Sequence, residues 1–237
     1  EDFIFLKTNN SYFLKHIEDF FKYYYFHYLS QLILRINDFG RAAPEIKPVY
    51  YTMDWETLSE TRLSGHVIGW KQLNKYSESV FAHTNALELL NYIMVNEKPI
   101  GDYQSIVQLH RDLDQGEKEK LHQCVKELVV FYTENVTSFE TGKDWQDCER
   151  ILELDLINKN FDSEFLTDIY SLWFKIRYQF ENSARKKPYG DYSKWYSLFG
   201  RINYTKNRGR LGNTTILSQE LLLFLTRICI GREDKIR

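Results

Sequence analysis

A chain of 237 residues, 43% hydrophobic and 16% aromatic with a formal net charge of −2, can bury a core in one large domain or two modest ones without a metal or disulfide staple. Its three cysteines, Cys124, Cys148 and Cys229, lie far apart, which argues against a zinc ribbon or disulfide framework and predicts reduced thiols acting as small buried or half-buried apolar filler. The most apolar stretch, Tyr23 to Leu34, is interrupted by His27 and Gln31 and falls short of the ~20 apolar residues a bilayer span needs, so the expectation is a soluble, cytoplasmic protein without membrane contact. The sequence starts at Glu1 without Met and stops among charges, which suggests a piece of a longer protein.

In chain order, Ser11 to Asp38 reads as a first helix, with Phe and Tyr on nearly every face and so expected to be surrounded by protein; Gly40 stops it. Pro44 and Pro48 frame a connection into VYYTMDW, a β-branched and aromatic run suited to a short strand or an extended arm. Val80, His83, Leu87, Leu90 and Met94 form an amphipathic stripe, as do Leu121, Val125, Leu128 and Tyr132 behind a charged EKEK start. Trp145 to Leu156 is a shorter helix. Phe165, Ile169, Leu172, Trp173, Ile176 and Phe180 make another, with Asp162 or Ser163 as its cap. No alternation is long enough for a sheet, and there is no repeat or low-complexity segment.

A seam is expected at NSARKKPYGDY, residues 182–192, where Arg185, Lys186 and Lys187 would complete a helix that Pro188 and Gly190 end. A short aromatic helix around Trp195 to Phe199 follows, then RINYTKNRGR as a loop, then a helix capped by Ser218 and closed by Gly231. The expected fold is mainly α: an irregular multi-helix bundle over 1–184, and a basic helical C-terminal module over 185–237, cut short, that could begin a winged helix.

Nucleotide and hydrolase motifs are absent: no P-loop, GxGxxG, HExxH or GxSxG occurs. Three weaker constellations remain. Asp54 and Glu56 flank Trp55, and would share a face as an acid/base or metal pair if extended, or would start a helix. His83 on its apolar stripe is either a buried base or a satisfied core residue. HRDLD at 110–114 with EKEK at 117–120 superficially resembles a nuclease acid-and-lysine cluster, but reads as a helix end and a solvated helix start.

Charge distribution is more informative. From Arg185 to Arg237, twelve Lys or Arg against four Asp or Glu give +8, which leaves −10 for the rest. Arg185, Lys186, Lys187, Lys194, Arg201, Lys206, Arg208 and Arg210 are interleaved with Tyr189, Tyr192, Trp195, Tyr196 and Tyr204. Cations for phosphates, aromatics for stacking and glycines for close backbone approach suit nonspecific nucleic-acid binding, although a solvated positive face has the same composition.

PVYYTMDWETLSETR at 48–62, GWKQL at 69–73, FAHTNALELLNYI at 81–93 and LSQELLLFLTRICIGREDKIR at 217–237 together resemble the DptG family, a component of the bacterial DNA phosphorothioation-dependent restriction system. The resemblance implies a defence complex that acts beside two ATP-dependent partners, DptF and DptH, against DNA lacking the modification. It carries over no catalytic residues, and in such proteins the last block leads into a further helical segment. The sequence expectation is therefore a non-enzymatic subunit without cofactor or metal, touching DNA through the eight tail cations and partner proteins through the aromatic N-terminal helix and acidic body. A scaffold that docks its positive end onto an acidic partner, and an enzyme built on Asp54, Glu56 and His83, are the alternatives.

Overall fold

The computed structural model describes residues 10–41, 49–53, 59–94, 100–183 and 187–232. The fold is mainly α. In order it comprises α1 (Asn10–Ile36), β1 (Thr52–Met53), α2 (Ser59–Ser64), a π-helical stretch (Gly65–Lys71), α3 (Gln72–Glu78), α4 (Val80–Ile93), α5 (Tyr103–Asp112), α6 (Gln115–Asn135), α7 (Trp145–Lys159), α8 (Glu164–Glu181), α9 (Lys187–Asn203), β2 (Thr205–Asn207), a 3-10 turn (Gly209–Leu211), β3 (Asn213–Leu217) and α10 (Gln219–Arg232). The chain divides into two compact units, one built from 1–32, 47–75 and 196–237, the other from 33–46 and 76–195.

The second unit is a helical bundle with α8 at its centre, packed by α4, α6 and α7. Phe165, Ile169, Leu172, Trp173 and Ile176 of α8 are buried, against Ala82, Ala86, Leu87 and Leu90 of α4 and Leu121, Val125 and Leu128 of α6. Helix starts follow the capping chemistry: Asp102, Asp114, Asp144 and Ser163 each accept the backbone N–H of the third residue of the helix they open. Asp114 and Glu117 complete a reciprocal capping box, with Glu117 N–H donating to Asp114 Oδ1 at 2.9 Å.

α1 runs 27 residues without Pro or Gly, and the turn after it carries two left-handed residues, Phe39 at φ 50° and Gly40 at φ 76°. A side chain at position 40 is excluded twice over: positive φ disfavours it, and a Cβ there would stand 2.9 Å from Val107 Cγ2 and 3.1 Å from Tyr103 O. The turn drives Phe39 into the core, stacked on Tyr103 at 4.9 Å and edge-on to Tyr170 and Trp173.

The first unit holds a three-stranded sheet of order β1-β3-β2; β1 falls in the VYYTMDW run read as a short strand or an extended arm, while sequence patterning does not predict β2 and β3. β1 pairs parallel to β3 through Thr52↔Ile216, and β2 pairs antiparallel through Lys206↔Thr214. At two, three and five residues these strands are too short for an alternation to register. The sheet is covered by the π-helical stretch, whose Gly65 and Gly69, four residues apart, press on it. A Cβ at Gly65 would reach Thr52 Cγ2 at 2.6 Å and Thr214 Cγ2 at 2.9 Å, and one at Gly69 would strike Thr215 Oγ1 and Tyr50 O. Thr215 Oγ1 lies in hydrogen-bond reach of both the Gly65 and the Tyr50 carbonyls, so its single proton ties β3 to the helix or to the strand entry.

Three sequence boundaries move. α8 ends at Glu181, and Lys187 starts α9 rather than finishing the helix before it. Pro188 sits in the first turn of α9, where a missing N–H costs nothing, so it opens a helix instead of closing one. RINYTKNRGR is not a loop but the end of α9, β2 and the first residues of a 3-10 turn. The aromatic first helix is also less enclosed than expected, with Phe21 at 54%, Tyr25 at 52% and Tyr28 at 66% exposure.

Gly40→Ala is expected to lower the unfolding free energy by about 2 kcal/mol in urea denaturation, combining the left-handed penalty with overpacking. Gly101→Ala, where a Cβ would meet nothing within 4 Å, is the control and should change little.

Candidate nucleic-acid interface

The position of the basic segment is set by aromatic packing in the first unit. Phe26 of α1 is fully buried between two rings, Tyr196 at 5.4 Å and 12° and Tyr204 at 4.4 Å and 22°. Tyr196 hydroxyl also hydrogen-bonds Ser30 Oγ at 2.9 Å, and Ser30 Oγ reaches Phe26 O at 2.7 Å. Gly200 lets α9 approach, since a Cβ there would stand 2.8 Å from Trp70 Cζ3 and 3.0 Å from Phe26 Cε2. Burial pushes the Tyr196 and Tyr204 phenols up, so both stay neutral.

This overturns part of the expected chemistry. Tyr196 and Tyr204, at 0% and 3% exposure, are structural and cannot stack on a base. Trp195, at 41% exposure, can. The side chains of Tyr189 and Tyr192 lie outside the described residues.

From that anchor the chain turns into a hairpin. Thr205 Oγ1 donates to Arg201 O at 2.9 Å, at the junction of α9 and β2. At the tip, Arg208 N–H donates to Gly212 O at 2.8 Å, Gly212 N–H to Gly209 O at 3.0 Å, and Gly209 N–H to Asn207 Oδ1 at 2.9 Å. Gly209 at φ 65° and Gly212 at φ 86° take the left-handed positions this loop requires. His66 Nδ1 lies 2.6 Å from Asn213 O, holding the start of β3 to the π-helical stretch.

Arg201, Lys206 and Arg210 are exposed and Arg208 is half-buried, so four of the eight named cations gather on the last turn of α9 and the hairpin. Lys194 is exposed seven residues before Arg201, on the same face of α9. Arg185 and Lys186 lie outside the described residues, and Lys187 is placed as backbone only. A polar pocket in this unit, lined by Asp19, Lys22, Asn203, Tyr204, Ser218 and Glu220, holds about 110 Å³ and carries two acids against one lysine. It is well below the ~300 Å³ of a small-molecule site and has the wrong sign for phosphate.

His83 proves to be a satisfied core residue. It is fully buried, its Nε2 3.1 Å from Asn37 Oδ1 and its Nδ1 3.0 Å from Tyr103 hydroxyl, with the ring stacked on Trp173 at 4.8 Å. Asn37 fixes the tautomer: its Nδ2 donates to Ile33 O and Tyr76 O, so its Oδ1 accepts and His83 Nε2 carries the proton. Burial first, then the Arg177 guanidinium, pushes the His83 pKa well below its ordinary value. HRDLD and EKEK are the end of α5 and the start of α6, as read. Asp54 and Glu56 lie outside the described residues.

One pairing escaped sequence reading. His122 Nε2 lies 2.6 Å from Asp168 Oδ2, bringing α6 to α8, and Phe165 is stacked on His110 at 4.0 Å. The partners are 46 residues apart, and no local spacing announces them. Among the described residues no group of three or more His, Cys, Asp or Glu is placed to hold a metal ion. Among them also, no helix is long and apolar enough to cross a membrane.

Cys148 is buried at 0% exposure, and burial pushes its thiol up to about 12, while Cys124 is exposed rather than apolar filler.

No protein-family model matches this chain, and no curated protein matches it significantly.

Two outcomes follow from these environments. The unfolded chain binds the proton that folded His83 refuses, so stability is full above about pH 6.5 and is lost as pH falls below it, by about 1.4 kcal/mol per pH unit for one such group. His110, also depressed by burial, adds the same sign. Urea denaturation at pH 7.5 and 5.5 should show the loss, and His83→Gln should shrink it. In alkylation followed by peptide mass mapping, Cys124 should label in the native protein and Cys148 only after unfolding.

Proposed function

We propose that this chain is a non-catalytic subunit of a bacterial, cytoplasmic DNA phosphorothioation-dependent restriction complex, and that it meets duplex DNA through the last turn of α9 and the β2–β3 hairpin. The observation that carries the DNA part is the gathering of Arg201, Lys206, Arg208 and Arg210 on one helix end and one glycine-hinged hairpin, on a support fixed by buried rings. Cations held on a rigid ribbon bind phosphate without first losing loop entropy, and glycines at the tip let backbone N–H groups come close. Lys194 extends the positive line along α9.

The restriction setting rests on the resemblance of four sequence blocks to the DptG family, and ATP-dependent partners such as DptF and DptH follow from it. A subunit without a motor or hydrolase motif suits a complex in which energy and cutting are supplied elsewhere. Assembly contacts are assigned to the second unit, where Ile151, Leu154 and Ile157 leave 42%, 63% and 76% of their surface exposed on α7. That same exposure favours a second reading, a scaffold that docks its partners without touching DNA.

Fluorescence anisotropy with a labelled duplex separates the two. Under the DNA reading, log affinity falls linearly with log salt, and replacing Arg201, Lys206 and Arg210 by Gln together lowers the slope by about 3. These three are exposed, so circular dichroism should be unchanged. No binding at low salt, with the protein still capturing its partners, leaves the scaffold reading.

A further inference from the structure

α1 carries an apolar seam on its exposed side. Phe21, Tyr25, Tyr28 and Leu32 show 54%, 52%, 66% and 43% exposure and are spaced four, three and four residues apart. At 3.6 residues per turn they fall within roughly 60° of arc, the stripe a helix offers to one other helix. Tyr25 is not free to fold away, because its ring stands edge-on to Phe199 at 5.7 Å. The same heptad spacing continues to Glu18 on one side and Arg35 on the other, both exposed and of opposite charge. Glu18 has 75% of its side chain exposed and holds Lys22 at 2.5 Å within the helix.

The order of these six residues has a symmetry. About the point between Phe26 and His27, Tyr25 mirrors Tyr28, Phe21 mirrors Leu32, and Glu18 mirrors Arg35. An antiparallel copy of the helix placed across a two-fold axis at that point therefore meets aromatic with aromatic in the middle, aromatic with aliphatic beside it, and acid with base at both ends. A parallel copy would instead stack Glu18 on Glu18 and Arg35 on Arg35. With aromatic side chains contributing about 150–250 Å² each, the four apolar residues leave roughly 450 Å² exposed per copy. Two copies would cover roughly 900 Å², the low end of specific association, which fits a reversible dimer rather than an obligate one.

We propose that this protein forms a two-fold dimer in which α1 packs antiparallel on α1 of a second copy, with Phe21, Tyr25, Tyr28 and Leu32 as the seam and Glu18 to Arg35 ion pairs closing each end. An isologous interface of this kind needs only one self-complementary patch. The dimer is independent of the DNA reading, since none of the six residues is in the hairpin or on α9.

Sedimentation velocity across protein concentrations from micromolar to hundreds of micromolar tests it. The expected result is a concentration-dependent monomer–dimer equilibrium that Tyr28→Glu abolishes. Glu18→Arg should weaken dimerisation roughly tenfold, because both ends become repulsive, and the exchange Glu18→Arg with Arg35→Glu should restore it. All three positions are exposed, so thermal unfolding should confirm intact folds. A protein that stays monomeric throughout overturns the proposal, as does a dimer indifferent to Tyr28→Glu. A dimer that loses affinity with Tyr28→Glu but ignores the charge reversal overturns the antiparallel arrangement.

Discussion

The second unit depends on burying a neutral imidazole with both ring nitrogens satisfied. His83 can sit at 0% exposure only because Asn37 accepts from one nitrogen and Tyr103 serves the other. An unpaired polar group in that position would cost about 1–3 kcal/mol. Asn37 comes from the turn after α1, Tyr103 from α5 and the stacking Trp173 from α8, so one residue of α4 sets the register of three other segments. Phe39 enters the same cluster through the left-handed turn, and Gly40 is the residue that permits the chain to leave again. The network is structural because both nitrogens are occupied and water is excluded, which removes the means by which a histidine acts as a base.

The other unit uses close approach rather than a buried polar pair. Gly65 and Gly69 bring a π-helical stretch onto a sheet whose strands are too short to stand alone, and the Thr215 hydroxyl lies within hydrogen-bond reach of the Gly65 carbonyl. Gly200 does the same for α9 against Trp70 and Phe26. These contacts seat β3 against the π-helical stretch and α9 against Phe26, and β2, with Lys206, pairs with β3. The cations are not equivalent: Arg201, Lys206 and Arg210 are exposed, while Arg208 is half-buried.

Long helices were legible because their signals are local. The stripe from Val80 to Met94, the Ser163 cap and the Asp114 box all lie within one or two turns of the residues they organise. Pro188 misled for an equally local reason, since the residue that ends one helix is also among the best to begin the next. The basic composition of the tail was visible, but its interleaved tyrosines could not be sorted into stacking and structural groups. Phe26, which buries Tyr196 and Tyr204, lies 170 residues or more before them in sequence. The His122 and Asp168 pair was hidden for the same reason of distance.

By itself, then, the sequence determined a mainly α chain, the capped ends of its helices, the segregation of +8 of charge into the last 53 residues and the absence of nucleotide and hydrolase motifs, because each is a matter of composition or of neighbours within a turn. Tertiary structure alone decided that RINYTKNRGR is a ribbon and not a loop, that His83 is locked and not reactive, and that the first helix keeps an aromatic face in solvent. Strand pairing across 160 residues, ring stacking between remote helices and partial burial of a helix face are long-range outcomes of packing, and a short segment contains no record of which partner will arrive.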